Sequence, residues 1–305
     1  MSHLLPKNPT VRESVLGTLA YFDLFGIPLT ESDIADHLLF QMPDREKIAI
    51  YLRESPLVTK KDGYLSLSKD PEFFAEFARK KARAAKYWKR IRHFQWLFNM
   101  CPFVKLIAVC NSLPIEDIHE NSDIDLLIIT ERDRLFTARL FLTFFSSLLG
   151  LRRHGLKIKK RFCLSFYLTE DNLNLEEIAQ KPYDIYLAYW LKTLEPICGD
   201  YATYERLIKE NMGWLKDYFP AVIPMRRHFR KRHSHIKLLL EKLFGSSRFE
   251  YKQKNYQLAR SKEKYTALKD KTGTIISEKM LKFHDNDVRA LVRKNWAERV
   301  NRLLS

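Results

Sequence analysis

Glycine and proline are scarce, 9 and 12 in a chain of 305 residues. So few chain breakers exclude a collagen-like or linker-rich protein. The long intervals between them repeat apolar residues at helical spacing. Cysteine is limited to Cys101, Cys110, Cys163 and Cys198, with no C-x-x-C pair. That excludes a disulfide frame or zinc ribbon, and four buried thiols in a reducing compartment are expected. No basic start, apolar run and small-residue cleavage site opens the chain, so a cytoplasmic location is expected rather than secretion. Nor does any apolar run suffice for a bilayer span, so no membrane is expected among the partners. The most apolar stretch, Leu135 to Leu151, carries Arg139 with Thr and Ser residues and reads as a buried helix. Acidic residues are outnumbered, 37 against 53 Lys and Arg, for a formal charge of +16. Such a field attracts polyanions, and it equally describes a solvated basic surface.

Hydrophobic residues make up 46% of the chain, enough for two or three domains with cores of their own. The expected fold class is α+β, mostly helical. Val15, Leu19, Phe22 and Phe25 share one face of a first helix, which Gly26 and Pro28 stop. Thr30 with Asp33 starts a second helix running to about Phe40, and a third spans Asp44 to Glu54. Leu57 to Lys60 and Tyr64 to Leu67 then alternate around Lys61-Asp62-Gly63, a hairpin signal. Three helices and a wing make a winged-helix unit over 1–70, with Arg45, Lys47 and Arg53 available for phosphates on the third helix. The same pattern serves protein docking, because fold does not fix function.

A connecting amphipathic helix over 71–100 follows, with Phe74, Phe77, Tyr87, Trp88, Ile91, Phe94 and Phe98 inward. Lys80, Lys81, Arg83, Lys86 and Arg90 fall mostly outward. Residues 101–180 carry a small mixed sheet, and 181–305 read as a helical C-terminal region. Within it, Arg226 to His235 is a basic cluster with three histidines. Cationic neighbours oppose a dication there, so a solvated or phosphate-contacting face is expected.

The chemistry concentrates between Val104 and Thr130. Val104 to Val109 suits a buried strand, and Asn111-Ser112 follows it. After a polar loop comes Asp123-Ile124-Asp125-Leu126-Leu127-Ile128-Ile129-Thr130. Strand side chains alternate, so Asp123 and Asp125 point to one face at the strand's start. Two carboxylates on one rim can share a dication. Short motifs of this kind are also ordinary turn and strand-edge chemistry.

The stretch Cys110-Asn111-Ser112 through Ser122-Asp123-Ile124-Asp125-Leu126 resembles the DNA polymerase β-like nucleotidyltransferase superfamily. Its members carry Gly-Ser after the first strand and Asp-x-Asp on the next. Tyr21-Phe22-Asp23-Leu24-Phe25, Pro28-Leu29-Thr30, Asp62-Gly63-Tyr64 and Pro102-Phe103-Val104 also look like a bacterial group of nucleotidyltransferase-domain proteins with an N-terminal winged helix. The resemblance implies a nucleotidyltransferase core over 101–180. It implies magnesium or manganese at Asp123 and Asp125, which would also be the catalytic pair, and nucleotide phosphates at Asn111 and Ser112. Transfer of a nucleoside monophosphate from a nucleoside triphosphate to a nucleic acid, protein or other acceptor would follow.

Two departures accompany it. Asn111 stands where the family has Gly. The later strand, Arg161 to Thr169, has no acid where the family places a third carboxylate; Ser165 or a neighbour takes that place. Glu170, Asp171, Asp285 and Asp287 are the acids that could substitute. A basic lining is expected from Lys157, Lys159, Lys160 and Arg161. The alternative reading is a catalytically degenerate protein that binds a nucleotide, a nucleic acid or a partner.

Overall fold

A computed structural model describes residues 9–220, 234–266, 273–283 and 287–305. The basic cluster from Arg226 to His233, and His284, Asp285 and Asn286, lie outside the described residues.

Local sequence accounts for the first elements. Helix α1 (Val11–Asp23) opens on a capping box, in which the Thr10 hydroxyl accepts from Glu13 N and the Glu13 carboxylate accepts from Thr10 N. Helix α2 (Glu31–Asp36) repeats the device with Thr30 and Asp33. It ends before the expected Phe40, because Phe40 adopts a φ of 63° and gives its N–H to Tyr218 O. Helix α3 (Arg45–Glu54) is capped by Asp44. Strands β1 (Thr59–Lys61) and β2 (Tyr64–Ser66) form an antiparallel hairpin. Asp62 and Gly63 turn it with φ of 51° and 79°, the paired left-handed residues that a tight hairpin needs.

Helix α4 (Pro71–Met100) starts at the Asp70 cap, with Pro71 in the first turn. Phe74, Phe77, Tyr87, Ile91 and Phe98 are buried as their spacing requires. Lys80, expected outward, is instead 5% exposed. Its ammonium donates to Phe25 O and pairs with Asp117 Oδ1, each at 2.6 Å.

The central sheet has six strands: β3 (Val104–Val109), β4 (Ile124–Thr130), β5 (Phe162–Thr169), β6 (Glu195–Gly199), β7 (Thr274–Ile276) and β8 (Met280–Phe283). Their order is β6-β3-β4-β5-β8-β7, with β4 and β5 parallel and the other neighbours antiparallel. The protein is therefore α+β, but the segment after 181 is not wholly helical. It supplies three of the six strands, all short: β6 and β8 pair with the distant β3 and β5, and β7 forms a hairpin with β8. A Cβ at Gly199, where φ is 114°, would lie 2.1 Å from Lys105 O, so only glycine lets β6 approach β3 this closely.

Helix α5 (Leu135–Leu148) links the parallel strands. Its Phe136, Ala138 and Leu142 are buried, whereas Phe144 and Leu148 are exposed, so the helix is half-buried rather than fully enclosed. The chain continues through α6 (Ile185–Lys192), α7 (Tyr201–Leu215), α8 (His235–Phe244), α9 (Ser247–Thr266) and α10 (Arg289–Leu304). Alternation divides the sheet's side chains. Ile107, Val109, Leu126, Ile128 and Tyr167 share a cluster with residues of α4 and α5. Leu106, Ala108, Leu127, Ile129 and Phe166 share the other with α1, α6, α7 and α10. Helix α1 is tied to the C-terminus by Trp296, whose indole donates to Gly17 O at 2.9 Å, and by the Arg299–Asp23 ion pair at 2.9 Å.

Candidate functional site

Antiparallel register puts the end of β3 beside the start of β4, with Val109 opposite Leu126. The bend that leaves β3 is held there by Cys110 N donating to Asp125 O at 3.1 Å. Asn111 then takes a φ of 60°. Asparagine is among the few side-chain-bearing residues that tolerate this left-handed region, so it meets the conformational demand that glycine would meet here. Ser112 follows, and its carbonyl accepts from Asp117 N at 2.9 Å.

Asp125 faces this bend from β4, with Asp123 just ahead of the strand. Parallel pairing sets Cys163 of β5 opposite Asp125. One ligand atom each from Asp123, Asp125 and Cys163 lies within 4.8 Å of the others. Removal from water, then the negative charge of Asp123, pushes the Asp125 carboxyl up to about 6, while hydrogen bonds from Asn111 and Cys163 pull it back. Asn111, Ser112 and Asp125 line a recess of about 210 Å³ together with Asp117, Tyr21, Phe25, Tyr186 and Trp190. Aromatic walls from α1 and α6 thus stand over the polar floor. Lys80 braces one side by joining Asp117 to the end of the first helix.

The four residues expected from sequence are brought together here, but the substitute acids are not. Glu170 and Asp171 follow the far end of β5, roughly 20 Å from Cys163 at the rise of an extended strand. They face Lys105, Arg132, Arg206 and Lys279 instead. Asp287 is bound to Arg289 in an adjoining cavity. The third position in the cluster belongs to Cys163, whose thiol is pushed up by burial and by both aspartates and whose Sγ lies 3.2 Å from Ser165 Oγ. Of the basic loop, Lys159 pairs with Glu120 at 2.9 Å, and Lys160 N donates to Ser122 O next to Asp123.

Sequence reasoning missed Arg153. Its guanidinium lies 2.8 Å from Asp123 Oδ2 and 3.8 Å from Cys163 Sγ. Nothing in the local pattern announces it, since it sits 30 residues after Asp123 in a loop with no apolar period. On α3, meanwhile, Arg45 pairs with Asp36 at 2.9 Å and Lys47 with Asp44 at 3.0 Å. Much of the positive charge offered there is thereby matched within the unit itself.

Two carboxylates are hard oxygen donors and fit magnesium or manganese. The thiol does not fit magnesium, which takes oxygen ligands. Asp123 and Asp125 are therefore the residues that would hold such an ion. Among the described residues they and Cys163 form the cluster that metal-ligand geometry allows. No helix of the described residues is long and apolar enough to cross a membrane. Comparison with family models, with curated proteins and with solved structures finds no match.

Proposed function

We propose that the protein is a magnesium- or manganese-dependent nucleotidyltransferase, which moves a nucleoside monophosphate from a nucleoside triphosphate to an acceptor. The observation that carries this reading is the convergence of the Asn111-Ser112 bend with Asp125 on one recess at the mouth of the sheet, with Asp123 within metal-ligand distance of Asp125. It supports the resemblance to polymerase β-like cores, and the hairpin after three helices supports a winged-helix unit. A bound dication would neutralise charge that develops on the transferred phosphoryl group. Ser112 and the backbone N–H groups of the bend provide donors for phosphate oxygens. The aromatic walls from Tyr21, Phe25, Tyr186 and Trp190 exclude water from the recess and offer a face to a base or acceptor.

Asp125 must be ionised to ligate, and its raised pKa makes that ionisation pH-sensitive. Arg153 sits where it can hold Asp123 in the absence of an ion, or swing onto a phosphate oxygen when one arrives.

A second reading, nucleotide binding without turnover, is favoured by one observation. Cys163 occupies the place where a third carboxylate would complete the ligand set for the ion that activates the acceptor. The two readings separate when the full chain is incubated with Mn²⁺ or Mg²⁺ and labelled nucleoside triphosphates, with and without RNA. Pyrophosphate release that disappears in Asp123→Asn/Asp125→Asn supports transfer. Nucleotide binding that requires both aspartates, with no pyrophosphate in any mixture, establishes the second reading and ends the first.

A further inference from the structure

Beside the recess, and sharing Asn111 and Trp190 with it, lies a second cavity of about 130 Å³ bounded by Phe166, Lys282, Asp287 and Arg289. The sheet relates the two. Lys282 on β8 pairs with Phe166 on β5, which pairs with Leu127 on β4, two residues beyond Asp125. Directly paired residues share a face, so Lys282 and Asp125 project from the same side of the sheet. They are two strands apart, roughly 10 Å at ordinary strand spacing.

Lys282 is 8% exposed. Its ammonium donates to Gly273 O at 3.2 Å. Among the described residues, no carboxylate lies within ion-pair distance of it. An ammonium carries three donors, and a buried charge with one carbonyl partner is costly unless something else meets it. Burial and the charge of Arg289 push its pKa down to about 8, against the attraction of Asp287 and Asp184, which reach it through space but not by a hydrogen bond. Its neighbour Arg289 is more fully engaged, with four of its five N–H donors placed. Nε and Nη2 are taken by Asp287, and Nη1 by Asp184 at 2.9 Å and Ile178 O at 2.7 Å. Asp287 is engaged in turn, held well down at about 2 by those hydrogen bonds. Among the described residues the cavity therefore contains one ion network bonded largely to itself and one cation with donors left over.

We infer that this cavity is the acceptor subsite, in which Lys282 holds an oxyanion, a phosphate or a carboxylate, of the molecule that receives the nucleotidyl group. The assignment to an acceptor rests on the transferase reading above; the oxyanion site itself does not. The cavity has room for a compact anionic group, and the Asn111 edge opens it toward the carboxylate pair. Occupation completes the hydrogen bonding of the ammonium and leaves the Asp184–Arg289–Asp287 network intact.

The probe is inorganic phosphate, titrated calorimetrically into the full chain. The arms are the wild type, Lys282→Met, Lys282→Arg and Asp123→Asn/Asp125→Asn. Each is run with and without a saturating non-hydrolysable nucleoside triphosphate and Mg²⁺. Phosphate is expected to bind the wild type and the double aspartate variant alike. Binding should fall roughly tenfold or more in Lys282→Met, the scale of one charge-assisted hydrogen bond, and be largely kept in Lys282→Arg. It should persist beside the nucleotide. Replacing a buried ammonium by an apolar chain of similar length keeps the fold, and an unchanged thermal transition checks this. Should Lys282→Met not fold, Lys282→Arg and the wild type still decide. No binding to the folded wild type, or equal binding without the lysine, overturns the subsite. Displacement of phosphate by the nucleotide assigns Lys282 to the nucleotide's own phosphates and overturns the acceptor role. Failure of the chain to bind any nucleotide, with phosphate still bound through Lys282, sinks the transferase reading alone.

Discussion

Removing the Arg153 guanidinium is expected to strengthen metal binding at the carboxylate pair. The guanidinium lies 2.8 Å from Asp123 Oδ2, and two unit charges about 4 Å apart attract by about 4 kcal/mol at an effective dielectric of 20. The Arg153 side chain is 44% exposed, however, and that of Asp123 16%. Solvent and side-chain entropy reduce an ion pair of this kind to about 1 kcal/mol. An incoming dication must displace that pairing and meet the repulsion of the guanidinium. Arg153→Ala should therefore bind Mn²⁺ about fivefold more tightly, with the gain shrinking as salt is raised. Mn²⁺ titration followed by electron paramagnetic resonance measures the affinity directly. If Arg153 also reaches a phosphate, the same variant loses affinity for the nucleoside triphosphate while gaining it for the metal. Unchanged or weaker Mn²⁺ binding in Arg153→Ala refutes the reasoning, because it would mean that the ion does not compete with the guanidinium for Asp123.

Four further outcomes follow from the same geometry. The Asp125 carboxyl titrates at about 6 rather than at its ordinary value of 3.8. Mn²⁺ affinity should therefore be level above pH 7 and fall as pH drops through 6, where an unshifted pair would hold to below pH 5; a pH series of Mn²⁺ titrations checks it. Because that folded-state pKa is raised, ionisation of Asp125 costs the metal-free protein stability, progressively as pH rises from about 4 to 6. Asp125→Asn should then be more stable than the wild type at pH 7 and equally stable at pH 4, as read by denaturant unfolding. Restoring a hard ligand with Cys163→Asp should raise Mg²⁺ affinity roughly tenfold at pH 8, which calorimetry would detect; no gain would show that Cys163 is misplaced for the ion. Finally, Lys80→Ala leaves the Asp117 carboxylate beside the recess with only the exposed His119 to pair with. It should destabilise the fold by about 3–5 kcal/mol, while Lys80→Met with Asp117→Leu should cost far less.

The sequence made the local features legible and hid the long-range ones. Thr30 with Asp33, Asp44 ahead of α3 and Asp62-Gly63 in the hairpin are devices whose partners lie within a few residues. Each forms where its spacing puts it. Helix α4 was equally plain, because its period runs over 30 residues. The Asp123/Asp125 pair and the Asn111-Ser112 bend were found because a strand, a turn and a strand are adjacent in the chain.

What was missed depends on pairings that no short window contains. Strands β6, β7 and β8 span 5, 3 and 4 residues, too few for alternation to stand out from helical neighbours. Lys80 sits in an outward-looking run of basic residues, but its burial is set by Phe25 and Asp117, 55 and 37 positions away. Cys163 takes the third position only because a register shift between Asp125 and Leu127 determines which β5 residues share their face. Arg153 enters the site region from a loop that carries no motif.

Diffraction from crystals grown with Mn²⁺ and a non-hydrolysable nucleoside triphosphate tests the central claim most directly. An anomalous peak bonded to carboxylate oxygens of both Asp123 and Asp125, with phosphate oxygens at the Asn111-Ser112 bend, is the expected result. Manganese and nucleotide bound elsewhere, with Arg153 still holding Asp123, would contradict it.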